Sequence, residues 1–181
     1  MDTTHTLGLA TLSGGLLVAR LVLGLAMAAH GAQKLFGWFG GHGLAGTTGF
    51  MEMLGFRPAR PFALAAAVGE LLSGLLVALG LLGPVGPAIM LSVMIVATVA
   101  VHWKNGFFAM QNGIELGALY ATGALALAFT GPGAYSADAL LGLDGLETTP
   151  LTVAVVAAGI AAGLGALLLR RPAPATAVAG D

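Results

Sequence analysis

The sequence contains no cysteine and few charged residues. Only 8% of its 181 residues are Asp, Glu, Lys or Arg, whereas a soluble domain carries about a quarter. Without cysteine, disulfides, thiolate metal ligands and Cys-x-x-Cys electron relays are excluded. A formal net charge of −1 leaves no basic surface for nucleic acid. These deficits exclude a nucleic-acid-binding protein and a cytosolic enzyme.

Apolar residues and glycine take the place of charge. Hydrophobic residues make up 57% of the chain, 29 residues are glycine, and the mean hydropathy is +0.94. Small residues inside apolar sequence are typical of transmembrane helices, because they let backbones approach closely. The composition therefore predicts an all-α integral membrane bundle embedded in a lipid bilayer. At about 20 residues per span, the length allows four to six spans.

The few charges and the Gly-Pro segments divide the chain into helices. Charge-free stretches and the loop Gly83–Pro87 predict five spans, near residues 12–36, 61–82, 86–103, 113–130 and 150–169. Between the first two spans, residues 47–54 resemble a short interfacial helix that Thr47 or Thr48 caps and Gly55 ends.

The positive-inside rule predicts the orientation of these spans. With five spans, one side of the membrane receives six basic residues: Lys34, Arg57, Arg60, Lys104, Arg170 and Arg171. The other side receives none. We therefore expect residues 1–11 outside and a disordered cytoplasmic tail at 170–181, in a multi-pass protein of a bacterial-type plasma membrane. The first 19 residues lack Lys and Arg, so we expect no cleaved signal peptide.

Ionisable residues within apolar spans are costly, so each needs a partner or a function. Those predicted to lie near the inner ends of the first four spans form a candidate polar pocket: His30, Lys34, Glu70, His102 and Glu115. Candidate supporting residues are Arg20, Gln33, Trp103, Lys104 and Asn105. His30, Gln33 and Lys34 share one helix face through their i, i+3, i+4 spacing.

Two interpretations of this group stay open. In the functional one, a quinone-like head group enters from the lipid, Lys34 or a histidine donates a hydrogen bond, and Glu70 or Glu115 exchanges protons. In the structural one, Arg20 pairs with Glu70 to fix helix register, the lysines extend to the interface, and Glu115 offsets a helix dipole. We expect no metal site. Axial haem ligation by His30 and His102 has no other support in the sequence.

The order of several motifs resembles the DoxX family of bacterial membrane proteins. They are Arg20, His30–Gly37, Gly49-Phe50, Leu54–Phe56, Pro58, Glu70, His102, Asn105–Phe108, Glu115 and Gly131–Asp138. The resemblance implies a four-helix membrane core over residues 12–140 and an association with redox chemistry. Relatives serve in thiosulfate:quinone oxidoreductases, oxidative-stress complexes and methylamine-dehydrogenase maturation. This chain departs from the family in its extra span at 150–169 and in lacking cysteine.

Two functions follow as hypotheses. One is a quinone-interacting subunit of a membrane oxidoreductase, in which a partner redox protein or a bound cofactor supplies electrons. The other is a non-catalytic scaffold or carrier for a redox enzyme or a small hydrophobic solute. Neither hypothesis fixes the oligomeric state, and a proton-coupled transporter is disfavoured because no inverted repeat is visible.

Overall fold

A computed structural model describes residues 3–171. Helices dominate this part of the chain. Their bounds are α1 Thr3–Phe36, α2 Gly43–Met53, α3 Ala59–Leu79, α4 Val85–Ala97, α5 Glu115–Thr130, α6 Ala137–Leu141 and α7 Thr149–Leu168. After α4 the chain continues through a π-helical turn, Thr98–His102, and a 3-10 turn, Trp103–Asn105. The predicted all-α membrane bundle is confirmed.

Within residues 3–171, four helical segments are long and apolar enough to cross a bilayer: Gly8–Phe36, Ala59–Leu79, Val85–Asn105 and Thr149–Leu168. They correspond to the first, second, third and fifth predicted spans. The fourth, α5, has only 16 residues, which is about 24 Å of helix against a hydrocarbon core of about 30 Å. Five spans with the N-terminus outside therefore stays a prediction.

The starts of α1 and α2 differ most from the predicted helix bounds. Helix α1 already begins at Thr3, so most of the predicted N-terminal segment 1–11 is helical. Helix α2 begins at Gly43, four residues before Thr47. The predicted cap at Thr47 or Thr48 is wrong, because each hydroxyl donates to the carbonyl four residues earlier within the helix. The predicted disordered tail lies outside the described residues, apart from Arg170 and Arg171.

Turn glycines end the helices where predicted. Gly55, with a φ of 88°, follows α2, and its amide donates to the Glu52 carbonyl at 2.9 Å. Gly37 follows α1 with a φ of 78°. Only glycine adopts this left-handed backbone without a steric cost. These two residues direct the chain from α1 through α2 to α3.

Helices α1, α3, α4 and α5 form the bundle, and α7 packs mainly on α4 and partly on α5. The shared core contains Met27, Val77, Met90, Met94, Ala124 and Leu127. Helices α1 and α3 approach most closely, because glycines line their contact. A Cβ at Gly31 would overlap the backbone of Leu71, and one at Gly74 would overlap the backbone of Ala28. Small residues thus provide the close helix approach that the glycine content predicted.

Glycines also line the contact of α7 with α4. A Cβ at Gly159 would lie 2.5 Å from the Ala88 carbonyl oxygen, and one at Gly163 would lie 2.8 Å from that of Ser92. Helix α7 is therefore seated directly on α4. Its C-terminal end reaches the α2–α3 connection, where the Arg171 amide donates to the Gly55 carbonyl at 2.7 Å.

Candidate functional site

A cavity with a volume of about 820 Å³ lies near the C-terminal end of α1. It is bounded by α1, α2, α3, α4 and α7. The polar part of its lining consists mainly of Gln33, Lys34, His42, Thr47 and Glu70. The rest is mostly apolar, with Phe50, Phe56 and Phe62 among the larger side chains. Such a cavity, mostly apolar with a few convergent polar groups, is typical of a ligand site.

Lys34 of α1 and Glu70 of α3 form an ion pair through Nζ and Oε1. The Glu70 side chain is 2% exposed and that of Lys34 is 34% exposed. Glu70 Oε2 is buried and has no hydrogen-bond partner within residues 3–171. The carboxylate is therefore only half satisfied, and the ammonium of Lys34 is the more accessible of the two charges. Lys34 retains donors for a further acceptor, since an ammonium carries three.

The end of α1 is held by hydrogen bonds that position Lys34. The Thr47 hydroxyl of α2 donates to the Lys34 carbonyl at 3.0 Å. Gln33 donates from Nε2 to the Phe39 carbonyl at 3.1 Å. Both bonds tie the last turn of α1 to the segment that follows it. They also explain why α2 folds back over the cavity rather than extending away from it.

His30 lies one turn from Lys34 but faces α5. Its Nδ1 is 3.2 Å from Gln33 Oε1, and its ring contacts the edge of Tyr120 with centroids 6.2 Å apart. Tyr120 also lies within electrostatic range of Glu70. Tyr120 is not among the predicted site residues, although it is a polar aromatic side chain in a mostly apolar helix.

His102, Asn105 and Glu115 do not line the cavity. They stabilise the loop between α4 and α5 instead. His102 Nδ1 lies 2.8 Å from the Asn112 carbonyl, Asn105 donates to the same carbonyl at 3.1 Å, and Glu115 accepts from the Ala109 amide at 2.7 Å. The neighbouring side chains of Trp103 and Lys104 are exposed. The structure thus divides the predicted pocket into a cavity group and a loop group.

Arg20 does not pair with Glu70, contrary to the structural interpretation of the sequence. It is 2% exposed and donates to the carbonyl oxygens of Pro132 and, at 2.6 Å, Tyr135. These residues follow α5, at the opposite end of the bundle from Lys34. The predicted Arg20–Glu70 pair is therefore wrong, because the guanidinium is used to hold the segment between α5 and α6.

Asp138, which is not among the predicted site residues, completes this second polar group. It is fully buried and lies within electrostatic range of Arg20. Its carboxylate accepts from the amides of Leu82 at 2.9 Å and Gly83 at 2.6 Å. Arg20 and Asp138 thus join the α3–α4 connection to the segment before α6. This group is structural and separate from the cavity.

Within residues 3–171, no group of three or more His, Asp or Glu side chains is arranged to hold a metal ion. His30 and His102, the two candidate haem ligands, belong to different groups with different partners. Among the predicted residues, the structure places Gln33, Lys34 and Glu70 on the cavity wall.

Comparison with known proteins supports the resemblance seen in the sequence. Residues 15–103 match the DoxX family, a segment that contains the last 22 residues of α1, all of α2 and α3, and α4 with its π-helical turn. Searches of curated proteins and of solved structures gave no match. The matched segment includes Arg20, Lys34 and Glu70. Residues 15–103 are thus a DoxX domain, in a chain whose apolar helices are those of a multi-pass integral membrane protein.

Proposed function

We propose that the protein binds the head group of a lipid-soluble quinone in the cavity beside Lys34 and Glu70, as a subunit of a membrane redox assembly. The observation that carries this proposal is the Lys34–Glu70 ion pair on the wall of a cavity of about 820 Å³ that is otherwise largely apolar. A quinone head group has an apolar ring and polar carbonyl oxygens, so it suits a cavity with a mostly apolar wall and a few charged groups.

The two charges would have different roles toward such a head group. Lys34 is partly exposed and has donors beyond the one used by Glu70, so it can donate to a carbonyl oxygen. Glu70 is buried with one unpartnered oxygen, which makes it the group best placed to take up or release a proton. Binding, orientation and proton exchange are thus assigned to this chain. The electrons come from a partner redox protein or a bound cofactor, because the chain has no cysteine to relay them.

The alternative is a non-catalytic scaffold or carrier, and one observation favours it. Lys34 and Glu70 already form an ion pair across α1 and α3, so the pair has a structural value without any ligand. Under this alternative, the cavity holds a hydrophobic solute or packs against a partner, and no quinone-dependent effect requires Lys34.

Ligand-dependent thermal stability separates the two functions. The purified full chain is heated in detergent with and without a 1,4-naphthoquinone, since a ligand that binds the folded state raises the midpoint temperature. We expect stabilisation of the wild type and of Lys104→Gln, and a much smaller effect in Lys34→Gln. Lys104 is the matched control because it is exposed and lies outside the cavity. If the quinone stabilises none of these proteins, the quinone function is wrong and the scaffold or carrier remains.

A further inference from the structure

Helix α7 contributes an uncharged part of the cavity wall. It supplies only Ala162 and Ala166 to the lining, whereas α1 supplies Gln33 and Lys34. Helix α7 packs mainly on α4 and, to a smaller extent, on α5. The cavity therefore extends from a charged region on α1 and α3 to an uncharged region on α7 that is lined by alanine. None of α7 lies in the segment that matches the family.

Helix α7 is held firmly in this position. Gly159 and Gly163 seat it against α4. At its C-terminal end, Arg170 Nε donates to the Leu54 carbonyl at 2.5 Å, and Leu167 packs on the apolar cluster that contains Phe56. Two hydrogen bonds, one from the Arg170 side chain and one from the Arg171 amide, thus connect the end of α7 to the segment that links α2 and α3. The alanines belong to a fixed wall of the cavity.

We propose that Ala162 and Ala166 line a channel for the apolar tail of the ligand whose head group binds at Lys34. This inference rests on the proposed function. A volume of about 820 Å³ lies toward the upper end of the range of roughly 300–1,000 Å³ found for ligand pockets, and a single head group occupies only part of it. Alanine leaves an apolar surface with room beside it, which suits a flexible hydrocarbon chain. Helix α7 accordingly selects tail-bearing ligands.

Two ligands and three variants test this channel. The ligands are 2,3-dimethyl-1,4-naphthoquinone, which has no tail, and a 1,4-naphthoquinone with a four-isoprene tail. The variants Ala162→Leu and Ala166→Leu each place a larger side chain in the channel. Ala161→Leu is the matched control, because Ala161 is an exposed alanine on the same helix that does not line the cavity. Dissociation constants are obtained from the rise in midpoint temperature of the full chain with ligand concentration.

We expect Ala162→Leu and Ala166→Leu to weaken binding of the tail-bearing ligand by at least about tenfold, because the larger side chain would occupy space that the tail fills, at a steric cost of that order. The dissociation constant of the tailless ligand should change by less than about twofold. Ala161→Leu should change the dissociation constant of neither ligand. The two variants lie on adjacent turns, so either alone gives the result if the other folds poorly. If the variants weaken binding of both ligands equally, or of neither, the channel proposal is wrong, while the quinone function is unaffected. If the wild type binds neither ligand, the proposed function fails and the channel fails with it.

Discussion

Lys34 and Glu70 form an ion pair that joins α1 to α3 on the wall of the cavity. The pair is asymmetric, since Glu70 is 2% exposed and Lys34 is 34% exposed. A buried carboxylate without its partner is strongly unfavourable in an apolar surrounding. Whatever ligand the cavity holds, Lys34 therefore has to compensate Glu70 for the fold to be stable.

We predict that Lys34→Met lowers the free energy of unfolding by about 3–5 kcal/mol, the cost of leaving a buried charge unpaired. The double variant Lys34→Met with Glu70→Met should recover much of that loss, because both charges are then removed. A double-mutant cycle on reversible unfolding in detergent measures the coupling. If Glu70→Met adds its own full cost to that of Lys34→Met, the two side chains do not stabilise each other.

The sequence was sufficient to predict the bundle and the residues at its charged end. Apolar stretches between scarce charges located the spans, and the cost of burying charge singled out Glu70 and Lys34. Their partnership was not predictable, because the spacing along one helix says nothing about which helix lies opposite. Arg20 was assigned to Glu70, yet it binds carbonyl oxygens after α5. Backbone acceptors in loops leave no mark in the sequence.

The loop residues show a second limit of sequence reasoning. His102 and Glu115 were grouped with Lys34 because both lie near the same end of the bundle. The position of a residue along a helix axis can be predicted from its number. The direction in which its side chain points cannot be predicted once the helix departs from regular α-helical geometry. The π-helical turn Thr98–His102 changes that direction just before the loop. His102 accordingly contacts Asn112 instead of facing the cavity.

Close packing of α1 on α3 gives a prediction with an internal control. We expect Gly31→Ala to destabilise the protein by about 1–3 kcal/mol, because the added methyl would overlap the backbone of Leu71. Gly14→Ala, on the same helix, meets nothing within 4 Å and should be neutral or slightly stabilising. Midpoint temperatures of both variants in detergent test this. Similar losses in both would show that α1 tolerates no alanine and would remove the packing explanation.

The Arg20–Asp138 group gives a prediction at the opposite end of the bundle. Asp138→Ala leaves the amides of Leu82 and Gly83 without their acceptor, at a cost of about 1–3 kcal/mol for each buried group. We expect a lower midpoint temperature and faster hydrogen exchange of these two amides. Tyr135→Phe is the control, because Tyr135 takes part through its carbonyl oxygen. A loss of stability in Tyr135→Phe comparable with that in Asp138→Ala would contradict this assignment.

The division between cavity and loop gives the last prediction. Glu115→Ala removes the acceptor of the Ala109 amide, so exchange at that amide should accelerate and the loop between α4 and α5 should loosen. Because Glu115 does not line the cavity, the dissociation constant of a cavity-bound quinone should stay within about twofold of the wild type. Hydrogen exchange and ligand-dependent thermal shifts on the same sample measure both effects. A quinone affinity that falls together with the loop protection would place Glu115 in the binding site and would restore the single pocket predicted from the sequence.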